Sequence, residues 1–397
     1  MRLTDHEFNR LTVLRHMRAA QPVSRTDLAS LSGLTGGTIT QIVRELVQRG
    51  MVMEQRVETG GRGRPRVNLS INPQGAYAVG ATLTAEGPFL VDIIDLNGNC
   101  VSSTSTMLRG TQQLADLADQ ISGVLRDAIA ASPVAHDAIA MVGIGLPAVL
   151  DNRTGTVLML ETFEPGPYPF ADAIARQLGV PVRLDNSINL LARAMHWFDD
   201  GSDVDDFTLV VLDLGLGAAC YQNGQLVIGS HGIEAELGHT KIVPENGRRC
   251  QCGALGCLQA YSAISGIVGQ HCDAHGLAEP SYLVMRDAVA EMVQRARAGD
   301  IATQGIFRRA GHYLGIGLAN HINMQDPDRI LILSQHPEIV SLISEALLAS
   351  LAQNVLPHLW DQAKLAFGKL DALSYSRGAA AMVLERLYQA REPLQQT

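Results

Sequence analysis

The 397-residue sequence predicts an α/β protein: an N-terminal module of short helices and a strand pair over residues 1–75, then a body of two related halves. Three observations carry this expectation. Apolar residues recur at helical spacing through the first 50 residues and alternate at period two after Met51. From Ala76 the pattern turns to apolar, strand-length runs broken by Asn97-Gly98 and Asn223-Gly224, dipeptides that favour tight hairpins. The order of three strands, a helix and a strand begins at Ala76 and again at Phe207, a weak internal repeat.

In the first module, Phe8, Leu11, Leu14 and Met17 set a helix through Thr4–Ala20, stopped by Pro22. Ser24-Arg25-Thr26-Asp27 reads as a capping box with aspartate in the usual Glu or Gln place, opening a short helix with Leu28 and Leu31 inward and Gly33 at its end. Thr35 caps a third helix whose inward face is Ile39, Ile42, Val43 and Leu46, ending near Gly50. Two short helices joined by Ser32-Gly33-Leu34-Thr35 read as a helix-turn-helix, the last being the recognition helix. Its outward face carries Thr38, Gln41 and Arg44, with Thr40 near the start, all able to bond base edges or phosphates. Gly36 and Gly37 are poor helix formers, and at a first turn they admit a close phosphate. Met51–Val57 and Val67–Ile71 alternate like the strands of a wing. Between them Arg62 and Arg64, spaced by glycine and proline, suit an arm entering a minor groove. Residues 1–75 hold eleven Arg and no Lys against six Asp or Glu, so they carry +5 of a total of −9 and the remainder carries −14. A basic module on an acidic body implies a polyanionic partner for the module alone.

In the body, strands fit Ala76–Thr84, Phe89–Leu96 and Cys100–Met107, a helix fits Gln112–Ala131, and a buried strand fits Ala140–Leu146. The second series is Phe207–Asp213, Gly215–Tyr221 and Gln225–Ile228. Helices at Thr303–Met324 and Pro337–Leu356 flank a strand at Ile330–Leu333, and a last helix fits Arg377–Gln389. Duplication of this kind suits the actin-like duplicated ribonuclease-H fold, in which two lobes close a cleft. The domains expected are a winged helix-turn-helix over 1–75, a first lobe over 76–190 with residues 377–397 packing back on it, and a second lobe over 191–376 carrying the dimerisation surface.

Half of the six cysteines lie within eight residues, Cys250, Cys252 and Cys257, in a glycine-rich loop shortly after His239. One imidazole and three thiols can close a tetrahedral shell, the way structural zinc is held, with no open position for chemistry. Together, Glu236-Leu237-Gly238-His239 and Cys-x-Cys-Gly-x-x-Gly-Cys-Leu from Cys250 resemble the signature of the ROK family of sugar kinases and sugar-responsive repressors. The resemblance implies zinc on His239, Cys250, Cys252 and Cys257, and sugar hydroxyls on Glu236, with His239 also touching sugar. It departs at Gln259, where the family usually has a sugar-binding Glu; an amide keeps one acceptor and adds a donor. The first 75 residues resemble the winged-helix domain of the family's repressors, through Ser-Arg-x-x-Leu-Ala at Ser24–Ala29 and the Gly-Gly-Arg-x-Arg-Pro run. The family's kinases lack that domain.

Phosphoryl transfer in this fold needs glycine turns for phosphates, a carboxylate for magnesium and an aspartate base. By resemblance, Thr82 stands where the first aspartate belongs, Leu333-Ser334 replaces the Gly-Gly beside adenine, and only Gly215-Leu216-Gly217 keeps a phosphate turn. Family kinases carry Asn-Asp-Ala-Asn after a Pro-Val strand, whereas here Asn186-Ser187-Ile188-Asn189 puts Ser187 at the base. Losing a general base commonly costs about 10²–10⁴ in rate. Asp185 lies two residues away and can be argued as a substitute, though at a strand end it need not face the cleft. Asn186 and Asn189 remain as sugar contacts, and Glu161 replaces an expected asparagine near Asp151-Asn152-Arg153-Thr154-Gly155.

The longest apolar run, Leu209–Cys220, is broken by Asp213, and the N-terminus lacks an apolar signal core, so a cytoplasmic protein without membrane insertion is expected. The reading is a zinc-containing regulator of carbohydrate genes, a repressor with its kinase activity lost. Its partners are operator DNA and a sugar or sugar-phosphate inducer, and it forms a homodimer or homotetramer. Two rivals stand beside it: an active sugar kinase with an accessory DNA-binding domain, and a DNA-binding regulator read by a partner protein, as some family repressors are by a transporter component.

Overall fold

The computed structural model describes residues 4–57, 66–83, 88–160, 163–164, 166–198, 204–230, 235–281, 284–362, 364–370 and 373–389. The wing arginines Arg62 and Arg64, and Glu161, lie outside these. The chain divides into two compact units, residues 1–199 with 373–397, and residues 200–372.

The first unit begins with α1 (Asp5–Ala20). The Thr4 hydroxyl accepts from Glu7 N–H while the Glu7 carboxylate accepts from Thr4 N–H, a reciprocal cap. Of the expected stripe, Leu14 and Met17 are buried and Leu11 packs partly buried against the core; Val13 and Arg10 join them, while Phe8 is 38 % exposed. The buried Arg10 pairs with Glu45 at 3.4 Å. After β1 (Val23–Ser24), α2 (Arg25–Ser32) starts on the expected Ser24–Asp27 capping box and ends at Gly33 with φ +69°. Leu28 is fully buried, but Leu31 is 48 % exposed; an eight-residue helix has one inward position to fill. In α3 (Gly36–Gln48) the Thr35 hydroxyl accepts from Thr38 N–H, and Ile39, Ile42, Val43 and Leu46 are all buried, as expected. The wing is β2 (Val52–Val57) antiparallel to β3 (Arg66–Ile71), with β1 on the other edge of β3.

The lobe of this unit is a five-stranded sheet built from β4 (Tyr77–Thr82), β5 (Phe89–Asp95), β6 (Cys100–Thr106), β7 (Ile139–Leu146) and β10 (Val182–Asn186). The strand order is β10-β7-β4-β5-β6, with β4, β5 and β6 antiparallel and β7 and β10 parallel to β4. Before β10 come a hairpin of β8 (Ala148–Asp151) and β9 (Thr156–Leu160), and α5 (Phe170–Leu178), none of which the sequence patterns indicated. The helices α4 (Leu114–Ala131) and α5 share one apolar core with the sheet. Then α6 (Ser187–Phe198) and the C-terminal helix (Leu373–Gln389) pack together, the latter also against β4 and β7. Backbones meet closely here: a Cβ on Gly80 would lie 2.0 Å from the Ser376 carbonyl oxygen, so only glycine fits. The expected first-lobe boundary at residue 190 falls inside α6, which stays whole within this unit. The N-terminal module has no separate core: Val13, Met17, Ile39 and Leu46 belong to one buried cluster with Ile94, Leu96, Met141, Val383 and Leu387.

The second unit repeats the plan. Its strands are β11 (Phe207–Leu212), β12 (Leu216–Gln222), β13 (Gln225–Leu226), β14 (Arg329–Ser334) and β15 (Lys364–Lys369), ordered β13-β12-β11-β14-β15. Again three strands are antiparallel and the last two run parallel to the first, the same topology as in the first unit. This is the actin-like duplicated α/β fold. Asn223 and Gly224 both have positive φ, 52° and 69°, the geometry of the tight hairpin that Asn-Gly favours. The helices are α7 (Gln259–Ser262), α8 (Ile264–His275), α9 (Met285–Arg297), α10 (Ile301–Gln325), α11 (Pro337–Asn354) and α12 (Pro357–Gln362). Phe307 and Leu314 of α10 and Ile343 and Leu347 of α11 anchor the core. Among the described residues, no helix is long and apolar enough to cross a membrane.

Candidate functional site

On α3, Thr40, Gln41 and Arg44 are exposed and Thr38 is half-buried, on the face opposite Ile39, Ile42, Val43 and Leu46. The Thr38 hydroxyl lies 2.9 Å from that of Thr35, and Thr40 donates to Gly36 O at 2.7 Å, so both are partly committed to the first turn. Gln41 donates to Glu45 at 3.3 Å, and Arg44 is exposed with no side-chain partner among the described residues. Gln48 is also exposed, one turn beyond Arg44, and extends the face the sequence reading had closed there. Nothing lies within 4 Å of a Cβ built on Gly36, and only Thr35 Oγ1, at 3.8 Å, of one on Gly37. No packing inside the protein requires either glycine.

In the second unit, the 3₁₀ turn Leu237–His239 and the loop to α7 bring His239, Cys250, Cys252 and Cys257 together, their ligand atoms all within 4.8 Å of one another. Two short bridges, Lys241 with Cys257 and Arg249 with Leu255, fold the loop on itself, and Cys250 N–H donates to Ala254 O at 2.8 Å. Gly256, at φ +72°, is forced, since a Cβ would lie 1.8 Å from Val243 O. The Cys252–Cys257 sulfurs are 3.7 Å apart, and Cys250 Sγ is 3.7 Å from His239 Nδ1. A tetrahedron with metal–sulfur bonds of about 2.3 Å has edges of about 3.8 Å, so the four donors fit a metal of that size. Burial pushes the Cys250 thiol up to about 12, the behaviour of an uncompensated buried thiol that a cation would reverse. Lys241 Nζ lies 2.8 Å from Cys257 Sγ; this hydrogen bond is the main cause of its raised pKa. With Nδ1 turned to the thiols, His239 keeps Nε2 for other work, and it lies 3.8 Å from Glu236, whose side chain is half exposed. A carboxylate behind a ligating histidine orients the ring.

Gln259 does not point freely outward. Its Oε1 accepts from Leu216 N–H at 3.2 Å, bracing the Gly215-Leu216-Gly217 turn, and its Nε2 donates to Gln251. Beside this turn sits a contact the sequence did not suggest. Arg286 of α9 pairs with both Asp213 oxygens at 3.3 and 3.4 Å and donates to Gln335 at 2.8 Å, next to Ser334. Two segments joined to Arg286 across 73 and 49 residues leave no local sequence signal.

In the first unit, Asn186 and Asn189 occupy the end of β10 and the first turn of α6. Asn186 Oδ1 accepts from Ile188 N–H, capping α6, and its Nδ2 donates to Ala148 O. Asn189 is buried and donates to Asp185 at 2.8 Å. Asp185, 2 % exposed, also accepts from Asn186 N–H and faces Arg193 at 3.6 Å, so it is turned into the protein. Thr82 Oγ1 and Ser187 Oγ are buried, with no hydrogen-bond partner among the described residues.

The model of the ROK family matches residues 89–386, and that of the MarR family matches residues 4–63. The DNA-binding transcriptional repressor Mlc of Escherichia coli is 27 % identical over 349 residues, covering 85 % of this chain and 83 % of that protein. A xylose repressor of Caldicellulosiruptor bescii is 23 % identical over 95 % of this chain and 96 % of its own length. A crystal structure described as a ROK family transcriptional regulator, homologous to the E. coli Mlc protein, superposes with a TM-score of 0.79 at 26 % identity over 97 % of each chain.

Proposed function

Because the chain belongs to the ROK family and carries a MarR-type DNA-binding domain ahead of the family's body, we propose that it is a sugar-responsive transcriptional repressor of carbohydrate genes without kinase activity. One observation carries the reading: a capped helix-turn-helix with an exposed Gln41–Arg44 face shares its chain with a kinase-type body, in which the family resemblance puts Thr82 and Ser187 at the two carboxylate positions. A serine hydroxyl does not accept a proton near neutral pH as a carboxylate does. Thr82 is fully buried, and its hydroxyl is a poorer magnesium ligand than a carboxylate. Arg286, locked on Asp213 and Gln335, occupies the neighbourhood of the one phosphate turn the sequence keeps.

Arg62, Arg64, Thr38, Thr40, Gln41 and Arg44 bind operator DNA in this reading. Glu236, His239, Asn186, Asn189 and Gln259 bind the sugar, with Asn189 offering a carbonyl and Gln259 one amide hydrogen. Zinc on His239, Cys250, Cys252 and Cys257 is structural: it rigidifies the loop that carries Glu236 and does no chemistry. The protein acts in the cytoplasm as a homodimer or homotetramer. Relatives named for xylose make a pentose or hexose the first inducers to try. Calorimetry of the whole protein with D-xylose, D-glucose and N-acetyl-D-glucosamine, alongside a turnover assay with ATP, tests this. Heat of sugar binding without phosphorylation is expected. Turnover at kinase rates overturns the reading in favour of a kinase, and absence of sugar heat favours control by a partner protein.

A further inference from the structure

The first unit joins the proposed sugar residue Asn189 to the DNA-binding module through one helix. Asn189, in the first turn of α6, donates to Asp185. Asp185 faces Arg193, one turn further along α6, and Arg193 also pairs with Glu385 of the C-terminal helix. Glu385 holds the indole N–H of Trp197 with its other oxygen. Trp197 and Phe198, the last residues of α6, receive the Arg18 guanidinium over their rings, at 5.3 and 4.4 Å from the centroids. Arg18 belongs to α1 of the winged helix and is pinned by donating to Asn97 O at 3.0 Å. One residue earlier on α6, His196 lies 3.2 Å from Arg15 of α1.

We infer that α6 carries sugar occupancy to the DNA-binding module through the chain Asn189, Asp185, Arg193, Glu385, Trp197 and Arg18. This rests on the proposed sugar role of Asn189. A sugar hydroxyl that draws Asn189 away leaves Asp185 Oδ1 with the Asn186 N–H alone. Asp185 then moves onto Arg193, which it holds loosely, and weakens the grip of Arg193 on Glu385. Glu385 in turn sets the tilt of Trp197, the shelf on which α1 lies. Every link is buried or half-buried, where displaced partners are not replaced by water, so a change at one end has to be absorbed by the next contact.

Two measurements on the full chain test this separately from sugar binding. The first needs no sugar: hydrogen exchange of the α1 amides in Asn189→Ala, Arg18→Ala and the double variant. Asn189→Ala is expected to speed α1 exchange by about fivefold or more, leave α4 unchanged, and add less than its own factor when Arg18 is already Ala. Met195→Leu, on the same helix but outside the chain of contacts, should change neither. Glu385→Gln, which keeps the shape and removes the charge, should reproduce the α1 effect and serves if Asn189→Ala does not fold. Unchanged α1 exchange in both Asn189→Ala and Glu385→Gln overturns the proposal. The second uses Trp360→Phe, which leaves Trp197 as the one tryptophan of two in the sequence. D-xylose or D-glucose binding seen by calorimetry should shift its emission, and binding without a shift also overturns it. If neither sugar gives heat, the sugar reading fails, and the exchange experiment still decides whether α6 couples the two ends.

Discussion

Replacing Gly36 and Gly37 by alanine should move stability and DNA affinity in opposite directions. Both glycines lie in the first turn of α3 at ordinary helical φ, and neither has a close neighbour at its Cβ position. Glycine costs up to about 1 kcal/mol against alanine in a helix, so each substitution should stabilise the protein by roughly 0.5–1 kcal/mol. Thr35 already satisfies the Thr38 N–H. Helix geometry leaves the Gly36 and Gly37 N–H groups without intrahelical acceptors, pointing out of the positive end of the helix dipole. A phosphate seated there gains charge-assisted hydrogen bonds, and a methyl beside those amides keeps it out. Losing one bond to a charged group, about 1.5–3 kcal/mol, predicts a roughly 10- to 100-fold weaker Kd. The assay pairs urea unfolding with fluorescence anisotropy on an operator duplex recovered by genomic footprinting. Since no cation is removed, the slope of log K on log salt should change less than for Arg44→Ala, which should lose about one. Variants that gain stability and bind DNA as tightly as the parent refute the reasoning and leave the glycines without a role in contact.

Metal analysis should find about one zinc per chain, and Cys257→Ser should lose it together with thermal stability and sugar response. A metal-free protein with an unchanged melting curve would count against the centre. Arg62→Ala or Arg64→Ala should weaken binding to many sequences and reduce the salt slope by about one each, whereas Gln41→Ala should alter preference at one base position. Glu236→Ala should leave operator binding intact and abolish release by sugar. If it also loses DNA binding and melts early, Glu236 only braces the zinc loop. Ser187→Asp should produce no kinase, because Thr82 and Leu333-Ser334 are unchanged; measurable sugar phosphorylation would disprove this.

What could be read from the sequence was what local rules decide. The Ser24 and Thr35 caps, the four inward residues of α3, the Asn223-Gly224 hairpin and the Cys250–Cys257 loop each depend on residues a few positions apart, and each stands where expected. On α1, Leu11, Leu14 and Met17 face the core as expected, whereas Phe8 is exposed and Arg10 is buried. The pairing of Arg10 with Glu45, 35 residues away, leaves no local sequence signal. Asn186 and Asn189 read as sugar contacts from the motif alone; the bond from Asn189 to Asp185 spans four residues, and that from Asn186 to Ala148 comes from tertiary packing. The same holds for Gln259 on Leu216 and for Arg286 on Asp213. The sharing of one core by the N-terminal module, the first sheet and the C-terminal helix has no signal in any single segment.

That shared core bears on how a small ligand can release DNA. Breaking a buried ion pair by removing one partner costs about 3–5 kcal/mol, so a sugar cannot act by pulling Arg193 off both Asp185 and Glu385. Two charge-assisted bonds from a carboxylate such as Glu236, at about 1.5–3 kcal/mol each, would be nearly consumed, leaving little affinity. A sugar hydroxyl that donates to the Asn189 carbonyl and turns its amide away from Asp185 gains one neutral hydrogen bond against the one given up. The cost is bounded by the bond given up, about 1–3 kcal/mol for a carboxylate acceptor left short of one donor. A coupling of that size corresponds to a 5- to 150-fold change in operator affinity, which is the range typical of ligand-driven switches. An aspartate that faced the ligand as a base could not also be held by Arg193. With a serine at position 187, the carboxylate at the end of β10 is Asp185, whose charge is spent inside the protein.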